Sequence, residues 1–163
     1  MPNLLRTDRE ITEIYYRHVD SVYRVCYSFM KNIPETEDMV QETFLRLISK
    51  GKVFESEKHE RAWLIVTASN LCKDELKRHS RKNISLEVAA DLTGPGTESD
   101  QDVLYDILQL PEDYKTVVFM YYYEGYSTAE IAKFLRTMEG TIRSRLSRAR
   151  KLLKMRLGGD DND

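Results

Sequence analysis

Two cysteines, four prolines and seven glycines are all that the 163-residue chain carries of the residues that staple, kink or loosen a fold. So few glycines and prolines exclude a collagen-like or linker-like chain. Cys26 and Cys72 lie far apart in helix-like apolar patterns, so a disulfide framework is not expected and both read as buried free thiols. His18, His59 and His79 fall into no zinc-ligand spacing; each reads as a surface or boundary residue, and no metal site and no cofactor are expected. No apolar run approaches the ~18 residues of a membrane span. The start, MPNLLRTDRE, is charged too early for the apolar core of a signal peptide. A soluble, cytosolic protein without membrane insertion is the expectation.

Charge is abundant, at 32% of residues, yet the net charge is only -2. The balance hides segregation. Seven basic residues and no acid lie from Arg143 to Arg156, which leaves -9 on the rest of the chain. A second basic cluster runs Lys73, Lys77, Arg78, Arg81, Lys82. From Asn83 to Tyr114 there are eight acids and neither Lys nor Arg. A lone basic run reads as a solvated helix face. Two such runs on separate lobes fit phosphate neutralisation and nucleic-acid binding.

The stretch ADLTGPGTES, residues 90–99, has linker chemistry and divides the chain into two small lobes. Upstream, Ile11, Ile14, Tyr15, Val19, Val22, Tyr23, Cys26, Phe29 and Met30 recur at helical steps. Asn32-Ile33-Pro34 interrupts them, since proline disfavours helix at the residue before it. A second helix carries Met39, Val40, Phe44, Leu45, Leu47 and Ile48 on its apolar side and ends at Gly51. A third runs from about Lys58 to Arg78 with Trp63, Leu64, Val66, Thr67, Leu71, Cys72 and Leu76 inward. In the second lobe a helix opens at Pro111-Glu112-Asp113, with Val117, Val118, Met120, Tyr121 and Tyr122 on its apolar side, and Gly125 ends it. Ser127-Thr128-Ala129-Glu130 reads as a capping box before a short helix. After a break at Arg136–Met138, a basic helix follows with Ile142, Leu146, Ala149 and Leu153 inward and Ser144, Ser147, Arg148 and Lys151 opposite. No period-two strand pattern appears, so the fold class is all-α. The last two helices match a helix-turn-helix with the second as DNA reader.

Three segments together resemble the bacterial extracytoplasmic-function (ECF) sigma factors, from about Ile11 to Leu157. They are Glu37 to Leu47; Arg61-Ala62-Trp63-Leu64 with Ser69-Asn70-Leu71 and Asp74 to Arg78; and Leu110-Pro111-Glu112 with Tyr123 to Ser127, Glu130-Ile131-Ala132, Gly140 to Leu146 and Arg148-Ala149-Arg150. The resemblance implies sigma region 2 over residues 1–82, an acidic linker over 83–100, a region 4 helix-turn-helix over 101–157 and a mobile acidic tail over 158–163. It implies core RNA polymerase and promoter DNA as partners, an anti-sigma factor as a family-type regulator, a monomer when free, and no catalysis of its own.

Carried over residue by residue, Asp38, Gln41 and Glu42 would face the polymerase clamp; Asp38 and Glu42, as acids near a helix start, also simply suit its dipole. Asn70, Lys73, Lys77 and Arg78 would hold the downstream, minus-ten element, Asn70 through its donor and acceptor atoms. Trp63 sits on the inward period and reads as core. Arg143, Ser144 and Arg148 would read the upstream, minus-thirty-five element, with Arg145, Arg150 and Lys151 on phosphates and Glu139 and Thr141 as lesser candidates. The acidic linker would either occupy a cationic polymerase channel or merely keep the tether soluble. Where the family has Gly-(Ile/Val)-Ser at the helix-turn-helix turn, this chain has Arg136-Thr137-Met138. Arginine in a left-handed turn is strained, and Met138 has no oxygen with which to cap the next helix.

Two rivals remain at this level. A dimeric helix-turn-helix regulator without sigma activity would bind palindromic duplex by itself. A metal-dependent nuclease using Glu35, Asp38 and Glu42 would lack histidine partners.

Overall fold

A computed structural model describes residues 6–81, 107 and 110–156. The expected linker, 83–100, and acidic tail, 158–163, fall outside them. The chain divides into two compact units, residues 1–94 and 95–163. Among the described residues all regular structure is helical.

The first unit holds α1 (Asp8–Met30), α2 (Ile33–Lys50) and α3 (Glu57–Arg81), each packed on the other two. Thr7 and Glu10 form a capping box that starts α1. The helix ends at Lys31, which adopts the left-handed conformation at φ 65°. Asn32 then caps α2 by accepting the Glu35 N–H at 2.9 Å. Pro34 therefore lies in the first turn of α2, where a missing N–H costs nothing. The expected break at Asn32-Ile33-Pro34 is thus shifted: it falls at Lys31 and Asn32, and Ile33 is already helical. Gly51, at φ 59°, closes α2.

The core of this unit is Val22, Val25, Cys26 and Phe29 of α1, Val40, Phe44 and Leu47 of α2, and Ala62, Leu64, Ile65, Ala68 and Cys72 of α3. Both cysteines are free and buried, as their apolar setting implied. The hydrogen bond that the Cys26 thiol makes with Cys72, then burial, pushes that thiol well above its usual range. Two side chains of α2 expected inside are not. Leu45 is 49% exposed and Ile48 43%. The reason is angular: six apolar residues in ten cannot all fall within one helical stripe at about 100° per residue. Val40, Phe44 and Leu47 take the core, and Leu45 and Ile48 turn away from it.

His18 also departs from expectation. It is 1% exposed, and its Nε2 lies 2.7 Å from Glu60 Oε1 of α3. Arg17 reaches the same carboxylate at 3.2 Å and Glu57 at 3.7 Å. Glu60, itself buried, thus draws α1 and α3 together through two residues of one helix. Burial lowers the His18 pKa, and the Glu60 hydrogen bond opposes but does not cancel this. In the neutral ring, Nε2–H donates to Glu60.

The second unit holds α4 (Glu112–Val118), which runs on into a π-helical turn (Phe119–Tyr123), then α5 (Thr128–Leu135) and α6 (Glu139–Arg156). Pro111, expected in the first turn, is instead the N-cap residue of α4. The π turn was not legible: Glu124 N–H bonds five residues back to the Phe119 carbonyl, and the Phe119 and Tyr123 rings stack at 4.9 Å. Tyr121 and Tyr122, expected inside, are exposed; Met120 fills the core as expected, and Phe119, not among the expected residues, fills it beside Met120. Gly125 carries a positive φ of 81° after the turn. The Ser127–Glu130 capping box forms in both directions, at 3.1 and 2.9 Å.

The turn between α5 and α6 is a Schellman motif. Thr137 N–H bonds to the Ala132 carbonyl at 2.9 Å and Arg136 N–H to Lys133 at 3.3 Å. Arg136 sits at φ 57°, the position where glycine is ordinarily preferred. Ile142, Leu146 and Ala149 of α6 are buried with Val117, Val118, Ile131 and Ala132.

Candidate nucleic-acid and polymerase interfaces

The sequence places its basic residues on α3 and α6, and the structure fixes which sides they take. On α6, the buried Ile142–Leu146–Ala149 stripe faces α4 and α5. Ser144, Arg148 and Lys151 stand exposed on the opposite side. Thr141 and Arg145 are half-buried on one flank. With Gly140, Ser144, Arg148, Asp113 and Tyr114 they line an open cleft of about 450 Å³ beside the start of α4. Arg143 takes the other flank, exposed and paired with Glu139 at 3.0 Å. Arg150 does not join the outward face. Its Nη1 donates to the Tyr122 hydroxyl at 2.8 Å, which holds it against the π turn.

Met138, 77% exposed, precedes α6, and its carbonyl accepts the first bond of that helix, from Ile142 N–H at 3.3 Å. No side-chain oxygen is available there to cap the helix. Glu139, the first helical residue, brings a negative charge to the positive end of the helix dipole instead. Its Oε2 accepts the Thr128 hydroxyl at 2.6 Å, so the start of α6 is tied to the start of α5. Nothing in the residue pattern signals this link across eleven positions.

On α3, Asn70 and Lys77 are exposed and Lys73 is half-buried. Asn70, Lys73 and Lys77 follow helical steps of three and four and so share one side of α3. Arg78 is exposed but engaged: Glu75 accepts from its Nη2 at 2.6 Å and its Nε at 3.3 Å. That pairing, chiefly the Arg78 hydrogen bond, holds the Glu75 carboxyl below its usual range. Trp63 is not the core residue expected. It is half-buried, tilted at 5.7 Å against Phe54 of the preceding turn, and at seven residues from Asn70 it lies on the same side of α3.

On α2, Asp38, Gln41 and Glu42 are exposed together. The surface that they share is not purely polar. Gln41 shares an open groove with Tyr15, Tyr16 and Ile11 of α1 and with Leu45 and Ile48 of α2. The exposed side of α2 is therefore half apolar, and Leu45, Ile48 and Tyr16 are surface residues that periodicity had counted with the core or passed over. Among the described residues, no cluster of three or more His, Cys, Asp or Glu is arranged to hold a metal ion, and no helix is long and apolar enough to cross a membrane.

Residues 14–82 match the family model for sigma-70 region 2, and residues 104–153 match that for sigma-70 region 4. The ECF RNA polymerase sigma factor SigL of Mycobacterium tuberculosis is 32% identical over 155 residues, covering 88% of this chain and 86% of the relative. The chain belongs to the ECF RNA polymerase sigma factors. SigW of Bacillus subtilis, another of the family, is 28% identical over 166 residues and covers 91% and 87%. The fold is shared with RpoE from Bartonella quintana, solved in complex with the anti-sigma factor NepR (TM-score 0.75, 21% identity, 94% and 99% coverage). It is shared too with CnrH, solved in complex with the cytosolic domain of CnrY (TM-score 0.67, 21% identity, 95% and 92% coverage). As a sigma factor the protein is a transcription initiation factor, with core RNA polymerase and promoter DNA as partners. A dimeric regulator without sigma activity is not favoured, since the matches span both lobes.

Proposed function

We propose that this ECF sigma factor divides its work between three surfaces. The exposed side of α2 docks on the polymerase clamp, with Asp38 and Glu42 giving charge complementarity, Gln41 a neutral hydrogen-bonding contact, and Leu45 and Ile48 apolar area. The side of α3 that carries Asn70, Lys73 and Lys77, with Arg78 beside it, holds the melted minus-ten element. The outward side of α6 reads the minus-thirty-five element, with Ser144, Arg148 and Arg143 at base edges and Thr141, Arg145 and Lys151 supporting on or near phosphates. Region 2 occupies residues 1–82 and region 4 residues 101–157, joined by the acidic segment 83–100 and followed by the acidic tail 158–163.

The observation that carries this reading is the geometry of α5, its turn and α6. A capped short helix and a Schellman turn lead into a helix whose buried stripe leaves Ser144, Arg148 and Lys151 facing outward. The protein acts in the cytoplasm as a monomer until it meets core polymerase, catalyses no reaction itself, and is held in check by an anti-sigma factor, as the structural neighbour RpoE is seen with NepR.

The test separates the two tasks. Arg148→Ala should reduce promoter discrimination by roughly 5- to 150-fold, the range for one base-edge contact, and leave core polymerase affinity unchanged. Gln41→Ala should weaken core binding and leave the relative ranking of promoters intact. If Arg148→Ala impaired holoenzyme assembly, the role given to α6 would be wrong.

A further inference from the structure

Arg143 is the one arginine among the proposed base readers on the flank of α6, and it does not stand alone. Its Nη1 meets Glu139 Oε2 at 3.0 Å, and that same oxygen accepts the Thr128 hydroxyl at 2.6 Å. Glu139 stands one turn nearer the helix start, so the pair draws the guanidinium towards the N-terminal end of α6. That is the end from which reading helices contact bases. Exposed i,i+4 ion pairs contribute little to stability. Here, however, the carboxylate is fixed from a second helix and sits in the first turn of α6, where the dipole favours it. The arrangement orients more than it stabilises.

The charge matters as well. Arg143 shares its flank with Arg150 and Lys154, so an unrestrained guanidinium there would settle on phosphate and contribute affinity without sequence information. A carboxylate beside it repels phosphate and offsets one positive charge. The guanidinium keeps donors that do not point at Glu139, and it can present two of them to guanine O6 and N7. We propose that Glu139, anchored by Thr128, is a positioning residue that directs Arg143 away from phosphate and onto one base pair of the upstream promoter element. This rests on the assignment of α6 as the reader of that element.

The experiment uses full-length protein assembled with core RNA polymerase, and promoters in which each base pair of the upstream element is varied in turn. Arg143→Ala first identifies the base pair that Arg143 reads. Glu139→Gln and Glu139→Ala should then lose about tenfold discrimination at that same base pair and little elsewhere. They should also make the dependence of log affinity on log salt steeper by up to about one unit, because Arg143 becomes available to a phosphate. Thr128→Val should show the same loss in weaker form, and Thr128→Ser, which keeps the hydroxyl, should restore discrimination. Helicity and melting temperature, compared with wild type, identify a variant that fails to fold; Glu139→Gln, the closest in shape, then decides.

A uniform loss of affinity over all promoter variants, with discrimination intact, would overturn the proposal and leave Glu139 a structural residue. So would loss at a different base pair, which would make Glu139 itself a base reader, and so would no change. A wild-type holoenzyme indifferent to the whole upstream element would remove the reading on which the proposal stands, and the proposal with it.

Discussion

Ile142 joins the fold of the second unit to its function, because its burial determines which side of α6 faces outward. The side chain is fully buried in a core with Leu146, Ala149, Val117 and Ile131. Truncation to alanine removes three carbons from a site with no solvent to collapse into, and such changes cost about 2–5 kcal/mol. The 69 residues of this unit, 95–163, can muster roughly 3–10 kcal/mol at ~0.05–0.15 kcal/mol per residue. Ile142→Ala therefore removes, at mid-range, about half of the stability of this unit and none from the other. Native-state hydrogen exchange should show protection of the α4–α6 amides falling about 30-fold or more, with the α1–α3 amides unchanged. Ile142→Val, at about 0.5–1.5 kcal/mol, should give a graded, smaller loss. An equal loss of protection in α1–α3 would refute the reasoning, since the units would then unfold as one. Unaltered protection in α6 would refute the burial argument itself.

Arg136→Gly should raise the melting temperature of the second unit. It relieves a left-handed residue at about 1–2 kcal/mol against ~0.4–1 kcal/mol of added unfolded-state freedom, and a lower value would contradict the strain. His18 predicts an acid-sensitive first unit. Its folded pKa is depressed, so the unfolded chain binds its proton first; the stability it contributes is present above about pH 6.5 and is lost as pH falls through the folded value. Arg17 of α1 and Glu57, Glu60 and Arg61 of α3 surround it and are retained in His18→Gln, so urea denaturation of that variant between pH 7.5 and 5 should show a shallower decline. An unchanged slope would place the titration elsewhere.

Much of the fold could be read before any coordinates. The Ser127–Glu130 capping box, the stop at Gly51 and the apolar stripe of α6 each rest on a local rule that the structure repeats. Apolar-rich helices were harder, because hydropathy counts residues and geometry selects among them. Leu45, Ile48, Tyr121 and Tyr122 all fall on the apolar side by periodicity, and all face solvent. The π turn at Phe119–Tyr123 shifts the phase of its helix, which no fixed period anticipates. His18 was misplaced because its partner, Glu60, lies 42 positions away, and a buried histidine is recognised only from its partner. The candidate site was legible as residue types on α2, α3 and α6. Which of them are already engaged was not: Arg78 with Glu75, Arg143 with Glu139 and Arg150 with Tyr122 are products of tertiary and helical geometry.

The central claim is that this chain lends promoter choice to a polymerase that lacks it. Run-off transcription from a fragmented genomic library, with purified core RNA polymerase in the presence and absence of the protein, tests that claim most directly. The account predicts a small set of new start sites that share an upstream and a downstream element and appear only when the protein is added. Identical transcripts in both reactions, with no association between the protein and core polymerase, would contradict it.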